Sequence, residues 1–368
     1  MGAMLVVRFV AAALATLVAV VVGVSVTGTF NGTTDANGIP AGSNLFALIL
    51  ALSLLVGVIA WAVVEWLQTR RIESISRQFG TRTIVLMVVA IALNITLGQT
   101  VGTALKLPLY LDSIGTILVG VLCGPVAGAA TGILSNFTWS FGLAATPLAG
   151  PYAWPFAITA GVIGLLAGVF GYAGVFRRRM DTPPANLILG VVVAVVAIGI
   201  VVWTGIVPYY RDLCVPGVAR KPGQACFELF AGGPIDPIWL VLGFVVLGLI
   251  VAALLLVLVR VVVARDLGAV VVIVAGTGTG IVTALVSAPI VVLLGGVTGG
   301  GTDLLVAAFQ QAGSDLQQAV VQQSLLIDPI DKAIEFTIAF MLLGSLSKRV
   351  AARFPQGERA LGTDEARG

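Results

Sequence analysis

The side chains best able to do chemistry cluster in the run DPIDKAIEF near the end of the chain, which carries Asp328, Asp331, Lys332 and Glu335. Asp331 and Glu335 are four residues apart and would share one face of a helix. Lys332, beside them, is placed to snorkel toward a surface. More polar side chains recur at the ends of apolar runs. QTVGTALKLPLYLDSIGT supplies Gln99, Lys106, Tyr110 and Asp112; later stretches supply Asn136, Trp139, Ser140, Tyr152, Trp154, Thr298, Thr302 and Asp303. Aromatic rings beside a few carboxylates and amides suit capture of a small flat compound, which the rings stack against and the polar groups orient. Other roles stay open for single members. Trp139 and Trp154 also fit an interfacial aromatic belt, Asp112 a helix cap, and Asp331 with Lys332 a hydrated ion pair.

Covalent chemistry is not expected. The sequence has no histidine, which excludes a Ser-His triad and a histidine-liganded metal. No paired catalytic motif stands out, so the expectation is a non-enzyme with no metal and no cofactor. Gly276-Thr-Gly-Thr-Gly280 lacks the Lys-Ser/Thr of a phosphate loop and lies in an apolar run. Active transport would therefore need partner ATPases or an ion gradient.

The elements that must position these residues are membrane helices. The chain is 58% hydrophobic and 10% charged, with a mean hydropathy of +1.08. Soluble domains carry about 25% charged residues. Apolar runs of about 18–25 residues match a hydrocarbon core of roughly 30 Å, and segments that cross lipid must be helical because lipid offers the backbone no partner. The expected fold is all-α, a polytopic bundle of about ten spans. These are Met4–Val26, Leu45–Leu67, Ile84–Leu97, Leu111–Cys123, Val126–Phe141, Phe156–Phe176, Leu187–Val207, Ile238–Val263, Ala269–Gly295 and Ile330–Leu346, with Leu304–Gln323 as an interfacial piece. Glycines every fourth residue, at 124, 128 and 132 and at 164 and 168, fit close helix packing. Gly276–Gly280 reads as packing too, or as a flexible break.

With QTRRIESISRQFGTRT placed inside, about 15 of the 20 basic residues fall on the inner side, a positive-inside bias. Both termini are then cytoplasmic and the polar cluster faces outward. The loop holding Cys214 and Cys226 is then extracytoplasmic, where a disulfide can form. The net charge of +3 is dispersed among loops and gives no nucleic-acid signal.

Three runs carry a resemblance: LPLYLDSIGTILVGVLCGPVAGAATGILSN, SAPIVVLLGGVTGGGTDLLVAAF and DKAIEFTIAFMLLGSLSKRVAARF. In order and spacing they resemble the substrate-binding S component of energy-coupling-factor (ECF) transporters over about 81–181 and 267–354. The resemblance implies a six-helix core, interrupted by an inserted two-span hairpin (182–266) and preceded by a two-span extension (1–80). A disordered cytoplasmic tail (355–368) follows. It implies a bacterial inner-membrane protein that captures a vitamin-like or other small heterocyclic compound. Import is then driven by ATP through a membrane scaffold (T) subunit and two cytoplasmic ATPases. It implies a gating loop at Lys106, Leu107 and Pro108. It also implies substrate contacts near Asn136, Trp139, Asp303, Asp331 and Glu335, which coincide with the polar cluster; together they give a candidate site of Tyr110, Asp112, Asn136, Trp139, Trp154, Thr302, Asp303, Asp331 and Glu335. The first core helix, TIVLMVVAIALNITL, lacks the Ala-xxx-Ala spacing common in the family. A solitary ion-coupled carrier, or a non-transporting receptor or assembly subunit, are the competing readings.

Overall fold

The computed structural model describes residues 2–27, 43–70, 73–146, 148–179, 183–201, 265–311 and 314–362, with scattered helical positions between 245 and 263. Cys214, Cys226 and most of the expected span at 238–263 lie outside the described residues, as do the last six positions. Among the described residues the fold is all-helical. The helices are α1 (Gly2–Thr27), α2 (Ser43–Thr69), α3 (Glu73–Ser76), α4 (Thr81–Gly98), α5 (Ile114–Cys123), α6 (Pro125–Phe137), α7 (Ala157–Tyr172), α8 (Pro184–Val201), α9 (Gly268–Leu293), α10 (Asp303–Gln311), α11 (Leu316–Ser345), α12 (Lys348–Ala351) and α13 (Gly357–Leu361). Four helices are long and apolar enough to cross a membrane, within Val10–Thr27, Thr81–Ala104, Trp154–Tyr172 and Gly268–Leu293. Their outward faces are bare hydrocarbon: Val85, Val88, Val89 and Leu285 are all exposed.

Small residues set the packing. α5 and α6 are separated by Gly124, whose φ of 121° turns the chain, and Pro125 starts the next helix. The backbones of Gly128 and Gly164 nearly touch, as do those of Gly132 and Ala160, and of Gly168 and Pro125. Gly276 and Gly280 likewise lie on the backbone of α11 at Lys332–Ala333 and Asp328–Pro329. α9 runs unbroken through them, so these glycines serve packing rather than a helix break. Beneath this layer Phe336 meets Phe176 and Phe170, with ring centroids 5.8 and 6.1 Å apart. The α1–α2 pair rests on the other end of the bundle, with Val20 and Val24 against Ile158, Ile290 and Leu293.

Three boundaries differ from those read in the sequence. The span expected from Leu111 begins as a helix only at Ile114. The ten residues of α5 cover about 15 Å, half a bilayer core, and the preceding stretch is a largely buried, non-helical loop. The piece expected at 304–323 is two elements. Asp315 caps the second, accepting from Gln318 N at 2.8 Å, and α11 then continues for 30 residues. The tail expected to be disordered from 355 is folded as far as Leu361. Gln356 donates to Val121 O and Gly168 O, and Ala360 is fully buried.

Candidate functional site

The stretch between α4 and α5 reads Leu-Lys-Leu-Pro-Leu-Tyr-Leu-Asp from 105 to 112. Leu105 still has helical torsions, and the chain turns at Lys106 and Leu111, with φ of 52° and 50°. Leu105, Leu107, Leu109 and Leu111 point one way and are buried with Ile327 and Ile334 of α11. Lys106, Tyr110 and Asp112 point the other way and line a cavity. A non-helical backbone inside a helix bundle needs hydrogen-bond partners, and two carboxylates supply them. Asp331 Oδ1 accepts from Tyr110 N at 3.0 Å and Leu111 N at 3.2 Å, and Glu335 Oε1 accepts from Ser113 N at 2.8 Å. Leu111 sits at φ 50°, a conformation unfavourable for a side chain of its kind; the Asp331 contact holds it there.

Lys332 does not snorkel. It is 4% exposed, and its Nζ lies 2.7 Å from Asp331 Oδ2, 2.8 Å from Glu335 Oε2 and 3.8 Å from Asp112 Oδ1. Two carboxylates one helical turn apart would repel each other if buried bare, and the ammonium inserted between them removes that cost.

The cavity has a volume of about 340 Å³, within the range of small-molecule sites. Its floor is a polar ladder in the seam between two helices, with Thr283 and Ser287 on α9 facing Ser324, Asp328 and Lys332 on α11. Ser287 Oγ donates to Asp328 Oδ2 at 2.8 Å. One wall is Trp139, seated between Gly98 and Gly150, where any side chain would strike its ring. Its indole N–H donates to Leu148 O at 3.0 Å, leaving the ring as the contact surface. Both α4 and α6 widen into π-helical turns where they meet the cavity, at Gln99–Ala104 and Thr138–Gly142, a distortion frequent at functional sites.

The roof is the glycine-rich turn before α10. Asp303 folds it by accepting from Thr298 N and Oγ1 and from Gly299 N, at 2.7–2.9 Å. Lys106 Nζ donates to Gly299 O at 2.7 Å, Gly301 N to Gly102 O at 3.1 Å, and the Tyr110 and Thr302 hydroxyls are 2.7 Å apart. Gly301 must be glycine, because a Cβ there would meet the carbonyls of Lys106 and Leu107. Burial lowers the Lys106 pKa, against the pull of Asp303. Burial raises that of Asp303, against its hydrogen bonds from Thr298 and Gly299.

The expected site residues thus divide. Lys106, Tyr110, Asp112, Asn136 and Trp139 share the cavity lining. Thr302, Asp303, Asp331 and Glu335 stand behind it and hold its loops. Leu107 and Pro108 are buried under the roof. Trp154 lies off the lining, its ring 6.4 Å from that of Phe141. Thr159, Thr283, Ser287 and Ser324 escaped the sequence reading. Their signal was present as polar residues four apart inside apolar runs, at 283 and 287 and at 324, 328 and 332. Asn94 was also missed. It ties three helices together below the cavity, donating to Thr116 and Ser135 and accepting from Gly115 N. Among the described residues no three acidic or cysteine side chains are arranged to hold a metal ion; an ammonium fills the space between the carboxylates of α11. Comparisons with protein-family models, curated proteins and solved structures give no match.

Proposed function

We propose that this chain is the membrane-embedded substrate-binding subunit of an ECF-type importer. It captures a vitamin-like or other small heterocyclic compound at the outer face of a bacterial inner membrane. Both termini face the cytoplasm, where a scaffold subunit and two ATPases drive uptake. One observation carries the reading. A ligand-sized cavity unites Lys106, Tyr110, Asp112, Asn136 and Trp139, which come from separate stretches of the chain, under a roof of two loops. Trp139 and Tyr110 offer ring faces, and Asp112, Asn136 and Ser287 offer polar edges, which is the equipment for binding rather than for bond breaking. The sequence runs shared in style with S components contain the loop, the glycine-rich roof and the acidic helix of this site.

The test is gentle solubilisation of the native chain, followed by mass spectrometry of the small molecules and proteins that accompany it. A heterocyclic compound should co-purify and be lost from Trp139→Ala, while that variant keeps its elution volume and melting temperature. ATPase and scaffold chains should accompany the unmodified protein. Co-purification with non-ATPase partners alone would replace this reading with a receptor or assembly role. Uptake by the single purified chain in liposomes, driven by an ion gradient, would replace it with a solitary carrier.

A further inference from the structure

The cavity and its supporting loops carry an unequal set of charges. Asp112, Asp303, Asp328, Asp331 and Glu335 are five carboxyls, against the ammonium groups of Lys106 and Lys332. Lys332 is committed to three of the acids, two of them at 2.7 and 2.8 Å, and Lys106 donates to Gly299 O. Asp328 is left with little. It is 7% exposed and lines the cavity, and among the described residues the one hydrogen bond it accepts is from Ser287, on Oδ2. Carboxylates buried without matching positive charge are costly, so the site is short of a cation at its floor.

A second feature points independently to an occupant. Thr159 is 8% exposed and lines the same cavity, and its hydroxyl has no hydrogen-bond partner among the described residues. Buried polar atoms are nearly always satisfied, so this one is placed for something the cavity holds. The walls then restrict the shape. The Trp139 ring, with its N–H already used, and the rings of Tyr110 and Tyr152 offer faces for stacking and cation–π contact.

We infer that the cavity takes a planar aromatic or heteroaromatic cation, whose N–H groups donate to Asp328 on the floor and whose ring lies against Trp139. This rests on the binding-subunit reading above and narrows its substrate class from any small heterocycle to a positively charged one. Anionic compounds are disfavoured by the same acids, and neutral ones leave Asp328 uncompensated.

The experiment uses the full chain in detergent and three probes of one shape and different charge: benzamidine (cation), benzamide (neutral) and benzoate (anion). Binding is read from tryptophan fluorescence and from the shift in melting temperature. Benzamidine should bind at least about tenfold more tightly than the other two, the scale of one hydrogen bond to a charged partner. Asp328→Asn should remove that advantage, and Ser287→Ala should keep it, because the carboxylate remains. The probe ranking needs no variant, so a folding defect in Asp328→Asn does not protect the idea. Equal or tighter binding of benzamide or benzoate overturns the assignment. So does no response to benzamidine, or an unchanged benzamidine affinity in a folded Asp328→Asn. Should an anionic or neutral compound co-purify and be lost with Trp139→Ala, the binding role stands and the cation falls. With no co-purifying compound and no probe bound, both fall.

Discussion

Replacing Lys332 with methionine tests whether the acidic helix supports the site as described. Methionine keeps an unbranched stem of nearly the same length, so the change removes the charge and little volume. Asp331 and Glu335, both fully buried, then lose their shared counter-ion at 2.7 and 2.8 Å, and Asp112 loses its own at 3.8 Å. Removing one partner of a buried ion pair costs about 3–5 kcal/mol. The three backbone N–H groups given by Tyr110, Leu111 and Ser113 satisfy part of the stranded charge, which places Lys332→Met at the lower end, about 3 kcal/mol. That is roughly a hundredfold fall in the ratio of folded to unfolded protein. The double variant Lys332→Met/Glu335→Gln removes the ammonium and one of the two carboxylates that face it. It should be more stable than Lys332→Met by about 1–3 kcal/mol, a coupling of the size seen between contacting residues. Reversible unfolding in mixed detergent micelles, followed by circular dichroism, measures all the terms. If Lys332→Met is as stable as the unmodified chain, or if the double variant is the less stable of the two, the triad does not hold the loop.

Two glycines in one helix give a paired prediction. Gly280→Ala forces a methyl into the backbone of Pro329 and Asp328, whereas Gly278 has no heavy atom within 4 Å of the place a Cβ would take. Gly280→Ala should lower stability by about 1–3 kcal/mol; Gly278→Ala should be neutral or gain up to about 1 kcal/mol of helix propensity, both read from melting curves. The sequence expectation of a Cys214–Cys226 disulfide predicts a thiol count. The non-reduced, unfolded chain should take one maleimide, on Cys123, and the reduced chain three. Three before reduction would remove the disulfide.

How much of this was legible in the sequence depends on the residue. Long apolar runs gave α4, α7 and α9 within a few positions, because only a helix satisfies its own backbone in lipid. The glycine spacings pointed to close helix packing, and the structure supplies the partners, α6 against α7. The start of α5 was misread although its signal was there. Leucine at 105, 107, 109 and 111 alternates with period two, which does not fit a helix, but it adjoins an apolar run whose length suggested one span. Lys332 was misplaced because a lone lysine between two acids reads equally as a surface pair; only the neighbouring loop, more than 200 residues away in sequence, buries it. α11 was cut short for a related reason. Its first turns, LQQAVVQQ, look interfacial, and nothing local shows that they continue into the span. Four of the expected spans meet simple length and hydropathy criteria, whereas α11 carries Asp328, Asp331, Lys332 and Glu335 and is disqualified by the residues that build the site.

The tethering of the two roof loops says which part of the site can move. Tyr110, Leu111 and Ser113 are fixed by carboxylates that are fully buried. The glycine-rich turn is fastened at the rim instead, through Lys106 Nζ to Gly299 O and the Tyr110–Thr302 hydroxyl pair. Its backbone adopts positive φ at Gly295, Gly296 and Gly299, torsions that glycine accepts at little cost. An opening that released the turn together with the Lys106 side chain would break part-buried contacts between neutral partners and one ammonium, while one that pulled out Tyr110–Ser113 would also expose Asp331 and Glu335. Access should therefore come from the turn and the Lys106 side chain, while Leu107 and its neighbours stay packed on Ile327 and Ile334. Hydrogen exchange separates the alternatives: the amide of Gly301, which donates across to Gly102 O, should exchange at least about tenfold faster than those of Tyr110, Leu111 and Ser113, since local opening spans free energies from near zero to the global value. Equal protection would mean that the roof and its anchor move as one body, and that the buried carboxylates must be uncovered each time the cavity fills.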